Sequence, residues 1–219
     1  MGLSSPAGGA RMLLYHGSKH GIEGDIMPLS RDRCDFGSGF YMGTDVLQPL
    51  TLVCGYEDAH IYTLDVDMSG LSVIRFDSDL DWALYIAYNR GRLEHVRDSK
   101  LYHRVSHLAD GADVIVGSIA NDRMFVVFDR FVTGQLTDTA LIACLSALNI
   151  GDQYVAKTEL ACRRVRVVED RCLSEAERAE FAAMSFENRK LGVSIADRIA
   201  RQHRRDGRYF DEIVGGEDA

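Results

Sequence analysis

The chain has 219 residues, of which 46% are hydrophobic and 26% are charged, as is typical of one globular domain of moderate size. Its 33 acidic residues outnumber its 25 basic residues, and the net charge of −8 argues against tight binding to duplex nucleic acid, which requires clustered cations. No apolar run reaches the ~18 residues that a membrane span requires, so the sequence predicts no membrane partner.

The five cysteines are odd in number and include no C-x-x-C pair. This pattern predicts a reduced, cytoplasmic protein rather than a disulfide framework or a structural zinc site. Cys34 lies in a glycine-rich loop, where an ordinary thiol is commoner than a reactive one. His103 and His107 have the spacing of metal ligands on one helix face, but no third ligand is near them in sequence, and we expect no metal.

The chain divides into three predicted parts. Residues 1–11 lack the charged and apolar regions of a signal peptide and are predicted to be a flexible leader, with Met12 as a possible start. Residues 12–172 are predicted to form the main domain. Residues 173–219 differ in composition and are predicted to be a helical, partly basic extension.

Hydrophobic periodicity places the elements of the main domain. The predicted strands cover residues 13–15, 61–66, 71–76, 113–116, 153–157 and 164–168. The predicted helices begin near Thr44 or Asp45, where Pro49 should limit or kink the helix, and cover residues 79–92, 122–131 and 137–148. Strands and helices alternate without a regular β-α-β rhythm, so the predicted fold class is α+β.

The extension opens with a capping box, Ser174 to Glu177, and has helical composition as far as His203. Residues 189–208 hold seven cations and two anions in an otherwise acidic chain. This basic segment is either a solvated helix face or a docking surface for an acidic partner or nucleic acid.

Two segments carry the most functional information. Residues 13–18 (LLYHGS) read as an apolar strand that ends in His16 and Gly17. Residues 35–41 (DFGSGFY) read as a glycine-broken loop that delivers Tyr41. Together they supply a ring nitrogen, a closely approachable backbone and a flat aromatic face, which suit a nucleotide with a planar leaving group.

These motifs resemble those of the ADP-ribosyltransferases, in particular the poly-ADP-ribose-polymerase-like branch. The resemblance is closest to a bacterial family known as domain of unknown function 3990, and it covers residues 13 to about 160. It implies a split, mostly antiparallel pair of small sheets around a cleft for NAD. It also implies that His16 holds the adenine-side ribose and that Gly17 and Ser18 hold the carboxamide of nicotinamide. Tyr41 is implied to stack on the nicotinamide ring.

The third motif departs from the family pattern. Relatives place a glutamate in a Glu-Tyr-Ile-Val context, whereas this chain has Gln153 followed by YVA. An amide oxygen can still accept a hydrogen bond from a ribose hydroxyl, but it stabilises a developing cation less than a carboxylate does, so polymer formation is not expected. Glu159 is a fallback carboxylate if the strand extends that far. Tyr56 is a further candidate for a second stacking aromatic.

The same resemblance completes the predicted NAD-binding set. Arg31 is either a ligand of the pyrophosphate or an ordinary exposed arginine. Gly39 belongs to the second motif. Asn121 and Asp122 either face the cleft or cap the following helix.

The leading hypothesis is a mono-ADP-ribosyltransferase that uses NAD as substrate, needs no metal and modifies an unknown protein or nucleic acid. His16, Tyr41 and Gln153 would form its catalytic set. Similar bacterial proteins look like toxins or toxin–antitoxin components, which would add an antitoxin as partner. The alternatives are a non-catalytic NAD- or nucleotide-binding module, an NAD glycohydrolase, and an interaction protein that acts through its basic tail.

Overall fold

The structure is a computed structural model that describes residues 11–119, 125–146, 151–203 and 205–218, without the side chains of residues 125–126 and 187–196. Within these residues, seven strands form one mixed sheet. The strands are β1 (Arg11–Ser18), β2 (Phe40–Gly43), β3 (His60–Asp67), β4 (Val73–Arg75), β5 (Val114–Ser118), β6 (Asp152–Ala156) and β7 (Val165–Cys172). The α+β class predicted from the sequence is confirmed.

The helices are interspersed among the strands, and a short 3-10 helix covers Glu94–Val96. The α-helices are α1 (Leu47–Val53), α2 (Leu80–Asn89), α3 (Lys100–Ser106), α4 (Phe125–Val132), α5 (Asp138–Ser146), α6 (Glu159–Cys162), α7 (Glu175–Gln202) and α8 (Phe210–Asp218). The predicted capping box is confirmed, because Ser174 accepts from the backbone N–H of Glu177 and the Glu177 carboxylate accepts from the backbone N–H of Ser174. Helix α1 begins at Leu47, so Pro49 lies in its first turn, where a missing N–H costs nothing.

The strand order is β4-β5-β6-β2-β1-β3-β7, and the pairs are antiparallel except for β4 with β5. The junction between β2 and β1 is the weakest of the sheet: its register has a single pair, Tyr15 with Gly43. By contrast, β1 pairs with β3 at eight positions. The two halves of the sheet, β4-β5-β6-β2 and β1-β3-β7, are therefore joined by a single register pair.

Three apolar clusters cover the two faces of this sheet. On one face, helices α2, α4, α5 and α8 cover the β4-β5-β6-β2 half with a core that includes Phe36, Trp82 and Phe128. On the same face, α1 covers the other half through Leu50, Val53 and their neighbours. A third cluster fills the opposite face. The first face therefore has a gap between its two clusters, directly above the junction of β1 and β2.

The C-terminal segment packs onto the main domain. Phe210 and Ile213 of α8 are buried in the same cluster as Phe131 of α4, and the rings of Phe210 and Phe131 meet edge to face with centroids 5.4 Å apart. Of the basic residues between 189 and 208, Arg198, Arg201, Arg205 and Arg208 are exposed.

Candidate functional site

The gap above the junction is a cleft of about 90 Å³ between helix α1 and strands β1, β2 and β6. Its lining residues are Tyr15, His16, Gly17, Tyr41, Met42, Gly43, Gln48, Pro49, Leu52 and Gln153. All three predicted motifs therefore meet at this cleft, although its lining residues extend from Tyr15 to Gln153 in the sequence. Because side chains alternate along a strand, Tyr15, Gly17, Tyr41 and Gln153 share the face that the cleft occupies.

Gly17 allows α1 to lie close to the sheet. A Cβ added at Gly17 would lie 3.0 Å from the Pro49 carbonyl oxygen and 3.0 Å from Val53 Cγ1. Both distances are below ordinary van der Waals contact, so any side chain here would push α1 away. Gly17, which was predicted to allow close approach of a ligand, thus also allows α1 to cover the cleft.

The side chain of Gln48 lines the cleft. It extends from α1 over Gly43, where an added Cβ would lie 2.3 Å from Gln48 Oε1. Within the described residues, the Gln48 amide group makes no hydrogen bond, so no intramolecular bond opposes its movement. Gln48 therefore reduces the volume of the cleft with a side chain that is free to rotate.

The side chain of His16 links strand β1 to strand β2. Its Nδ1 donates to the carbonyl oxygen of Tyr41 at 2.7 Å, which fixes the neutral tautomer with Nε2 as the acceptor. Its ring stacks on Phe40, with centroids 4.4 Å apart, and lies on the sheet face opposite Gln153. Burial lowers the pKa of His16, with the bond to Tyr41 as a smaller opposing effect. The imidazole is therefore neutral at physiological pH. Because the ring lies on the opposite face, the backbone of His16 is the part that borders the cleft.

Tyr41 is held by its hydroxyl group. The hydroxyl donates to the carbonyl oxygen of Gly37 at 2.8 Å and accepts from the backbone N–H of Phe36 at 2.9 Å. Burial is the main cause that raises the pKa of Tyr41, so the phenol stays protonated at any physiological pH. The ring is consequently fixed at both ends, which suits a rigid stacking surface.

The DFGSG segment is the support of Tyr41. Gly37 has a φ of +71°, which glycine adopts without strain, and Lys157 Nζ donates to the Phe36 carbonyl oxygen. Gly39 packs against β6, where an added Cβ would lie 2.4 Å from Val155 Cγ1. This glycine-rich segment is therefore needed for packing, and it does not itself line the cleft.

Gln153 is 4% exposed, and its amide nitrogen is fully used. Nε2 donates to Asp35 Oδ2 at 3.0 Å and to the carbonyl oxygen of Ser118 at 3.4 Å. No described residue donates to its Oε1, and this oxygen is not sealed from solvent. The remaining hydrogen-bonding atom of Gln153 is thus an acceptor next to the cleft.

Several residues of the predicted site lie elsewhere. The Ser18 hydroxyl donates to the Gly21 carbonyl oxygen at 2.7 Å, and Arg31 is exposed in the loop before the second motif; neither lines the cleft. Tyr56 is 37% exposed beyond α1, with Lys19 Nζ 4.5 Å from its ring centroid. Asn121 and Asp122 lie outside the described residues.

The fallback role of Glu159 is wrong on structural grounds. Strand β6 ends at Ala156, and Glu159 begins α6 after the cap at Thr158. Glu159 lines a separate groove of about 540 Å³, together with Met27 and Val167. That groove lies over the opposite face of the sheet, because Leu64, the partner of Val167, belongs to the cluster on that face. The chain turns before the alternation of the strand can bring this carboxylate to Gln153.

Tyr15, Gln48 and Leu52 line the cleft without having been predicted. Tyr15 is recoverable from the sequence, since it lies two residues from Gly17 on the same face of the strand. Gln48 and Leu52 carry no such signal, because their role depends on where α1 docks. The same holds for Arg90, whose contact with Asp35 joins residues 55 positions apart.

No group of three histidine, cysteine, aspartate or glutamate side chains in the described part of the chain could hold a metal ion. Within the described residues, His103 and His107 belong to no such group, and His107 Nδ1 lies 2.7 Å from Asp110 Oδ2. Among the described helices, none has the length and apolar composition needed to cross a bilayer.

The chain matches the model of a protein family. The family model described as "Protein of unknown function (DUF3990)" matches residues 12–167, which is more than half of the chain. The chain belongs to the DUF3990 family, and the resemblance to that family inferred from the motifs is confirmed. No curated protein and no solved structure shows significant similarity to the chain.

Proposed function

We propose that this protein is an ADP-ribosyltransferase that binds NAD, releases nicotinamide and transfers mono-ADP-ribose to a macromolecular acceptor. The observation that carries the proposal is the convergence of the three motifs. Gly17, Tyr41 and Gln153 come from three neighbouring strands and share one face beside one cleft. This set offers a bare backbone, a rigid aromatic ring and a fixed acceptor, which are the groups that a nicotinamide riboside requires.

In the reaction, the bond between the nicotinamide nitrogen and the ribose carbon breaks, and the electron pair leaves with nicotinamide. A nucleophile of the acceptor then bonds to the same ribose carbon and loses its proton. The Tyr41 ring and the Gly17 backbone would hold the leaving group, and Gln153 Oε1 would accept from a ribose hydroxyl. Positioning of this kind accelerates the reaction by pre-paying orientational entropy.

The size of the cleft limits how NAD can enter. Sites that bury a whole small ligand usually measure about 300–1,000 Å³, whereas this cleft measures about 90 Å³. We infer that only the nicotinamide end enters beneath α1 and that Gln48 swings aside as it does so. The adenosine end would lie outside, along the junction of β1 and β2.

One observation favours a second candidate, a non-catalytic NAD-binding module. Within the described residues, no carboxylate lines the cleft, and Gln153 supplies a dipole rather than a charge. A dipole stabilises an oxocarbenium-like centre less than an anion does, so binding could persist where turnover is slow.

Calorimetric titration with NAD tests both candidates at their common step. Leu52 and Leu47 are both exposed on α1, at 51% and 44%, but only Leu52 lines the cleft. Leu52→Trp should fill the mouth of the cleft and weaken NAD binding at least about tenfold, the equivalent of 1.4 kcal/mol. Leu47→Trp is the matched control and should bind NAD like the wild type. No heat of binding to the folded wild type at millimolar NAD would refute the proposal.

The fate of label distinguishes the candidates once binding is established. With NAD labelled on its adenosine part and a cell lysate as acceptor, a transferase leaves the label on a macromolecule. A glycohydrolase leaves free ADP-ribose, and a binding module leaves NAD intact. If the transferase acts as a bacterial toxin, expression of the wild type should slow the growth of bacterial cells more than expression of Leu52→Trp.

A further inference from the structure

Behind Gln153 lies a buried ion pair between Arg90 and Asp35, the first residue of the second motif, to which the resemblance assigns no role. Asp35 and Arg90 are 7% and 4% exposed, and Arg90 Nε donates to Asp35 Oδ1 at 2.7 Å. The second guanidinium nitrogen, Nη2, donates to the same oxygen. A buried carboxylate is therefore paired with a buried guanidinium.

The other oxygen of Asp35 is bound to the site. Asp35 Oδ2 accepts from Gln153 Nε2 at 3.0 Å. An ionised carboxylate only accepts hydrogen bonds, so the amide of Gln153 must turn its nitrogen toward Asp35. The amide oxygen is thereby left for the cleft. Asp35, which does not line the cleft itself, is thus the nearer of the two acceptors that orient this amide, and the Ser118 carbonyl oxygen at 3.4 Å is the other.

We propose that Asp35 is a positioning residue that orients Gln153 and that selects an amide over a carboxylate at position 153. This inference rests on the proposed function, because it specifies how the acceptor of that site is held. A glutamate at position 153 would place a second carboxylate about 3 Å from Asp35, with one guanidinium for two negative charges. Two carboxylates at such a distance cannot both ionise without a large penalty, and one of them retains a proton. The presence of glutamine instead of glutamate at position 153 therefore follows from Asp35 and Arg90 rather than from a loss of function.

A double-mutant cycle tests the coupling without any ligand. The variants are Gln153→Glu, Asp35→Asn and the double variant, compared by urea unfolding. Each single variant should have a lower urea midpoint than the wild type, since the first adds a negative charge beside Asp35 and the second removes the carboxylate that accepts from Nε and Nη2 of Arg90. The double variant restores one carboxylate, one amide and one guanidinium, and it should recover most of both losses. Midpoint shifts that simply add would overturn the proposal.

Asp152 provides the control cycle. It is also an aspartate paired with an arginine, Arg75 at 3.0 Å, and it is adjacent to Gln153 in sequence, but its side chain lies on the other face of the strand. Asp152→Asn combined with Gln153→Glu should give shifts that nearly add. An equally large recovery in this control cycle would show a general charge effect and would count against a specific role of Asp35.

The pH dependence of Gln153→Glu gives a second, independent measure. Among the described residues, the ionisable groups near Asp35 include Arg90, Tyr41, Lys157 and the adjacent Cys34, and all are present in the wild type as well. In the variant, the folded state holds a proton that the unfolded state releases above about pH 4.3. Stability relative to the wild type should therefore be highest near pH 4 and fall as pH rises toward 8. A difference from wild type that is independent of pH would overturn the proposal even where Asp35→Asn fails to fold.

NAD titration of the same variants separates this proposal from the proposed function. Asp35→Asn and Gln153→Glu should each weaken NAD binding, and the double variant should regain it. Coupled urea midpoints in a protein that binds no NAD would support the positioning of Gln153 and refute the function. Wild-type NAD binding with additive midpoints would support the function and refute the positioning role.

Discussion

Gly17→Ala is the substitution that most directly tests how α1 roofs the cleft. The new methyl group would lie 3.0 Å from the Pro49 carbonyl oxygen and from Val53 Cγ1, and 3.1 Å from Pro49 Cβ. Contacts this short require a shift of a few tenths of an ångström by α1, which is a helix of only seven residues. The cost should lie at the lower end of the range for overpacking, about 1 kcal/mol.

Two measurements follow from this estimate. For a chain of this length, a loss of about 1 kcal/mol lowers Tm by roughly 2–4 °C, which circular dichroism or calorimetry resolves. NAD binding should fall more sharply than stability, because a shift of α1 displaces Gln48, Pro49 and Leu52, which line the cleft. The effect on affinity should therefore exceed the effect on folding.

Gly55→Ala is the matched control. Gly55 follows α1, an added Cβ there meets no atom within 4 Å, and its backbone is not in the left-handed region. This variant should change stability by less than about 0.5 kcal/mol and leave NAD binding intact. If Gly17→Ala matched Gly55→Ala in both Tm and affinity, then α1 would not lie on Gly17 and the reasoning would be refuted.

Three further outcomes are expected. In calorimetry, Gln48→Ala should bind NAD more tightly than the wild type, because the Gln48 side chain over Gly43 occupies the cleft without a hydrogen bond of its own. Weaker binding would show instead that Gln48 contacts the ligand. In urea unfolding between about pH 7.5 and 5, acidification should destabilise the wild type more than His16→Gln. The pKa of His16 is lowered in the folded state, so below about pH 6.5 the unfolded state takes up a proton that the folded state resists. Parallel stability curves for the two proteins would contradict this. Phe210→Ala should lower the free energy of unfolding by about 3–5 kcal/mol, and the protein should still unfold in a single thermal transition. Phe186→Ala, at a side chain that is 57% exposed, should lower it far less. A separate early transition would show that α8 folds independently of the main core.

The elements of the fold were largely predictable from local pattern. The alternation in residues 61–66 predicted β3, and the spacing of Trp82, Tyr85 and Ile86 predicted α2. The ends were less predictable: β7 extends to Cys172, and α1 begins at Leu47, although the expected cap Asp45 does accept from the backbone N–H of Leu47 at 2.9 Å. Ends depend on contacts with other elements, which a local pattern does not contain.

The candidate site divides in the same way. His16, Gly17, Tyr41 and Gln153 were selected from motifs, and the structure brings their strands together around the cleft. Ser18, Arg31 and Gly39 were selected with them but do not line the cleft, because neighbours in sequence point to other faces or lie in loops that pack elsewhere.

The sequence by itself determined the elements, the α+β class and the strands that carry the site, because these follow from side-chain periodicity and residue type. Only the tertiary structure decided that α1 roofs the cleft and that Gln48 lines it. It also decided that Asp35 and Arg90 support Gln153 from behind. These contacts join residues up to 118 positions apart, and their energies depend on burial and distance, which exist only once the chain has folded.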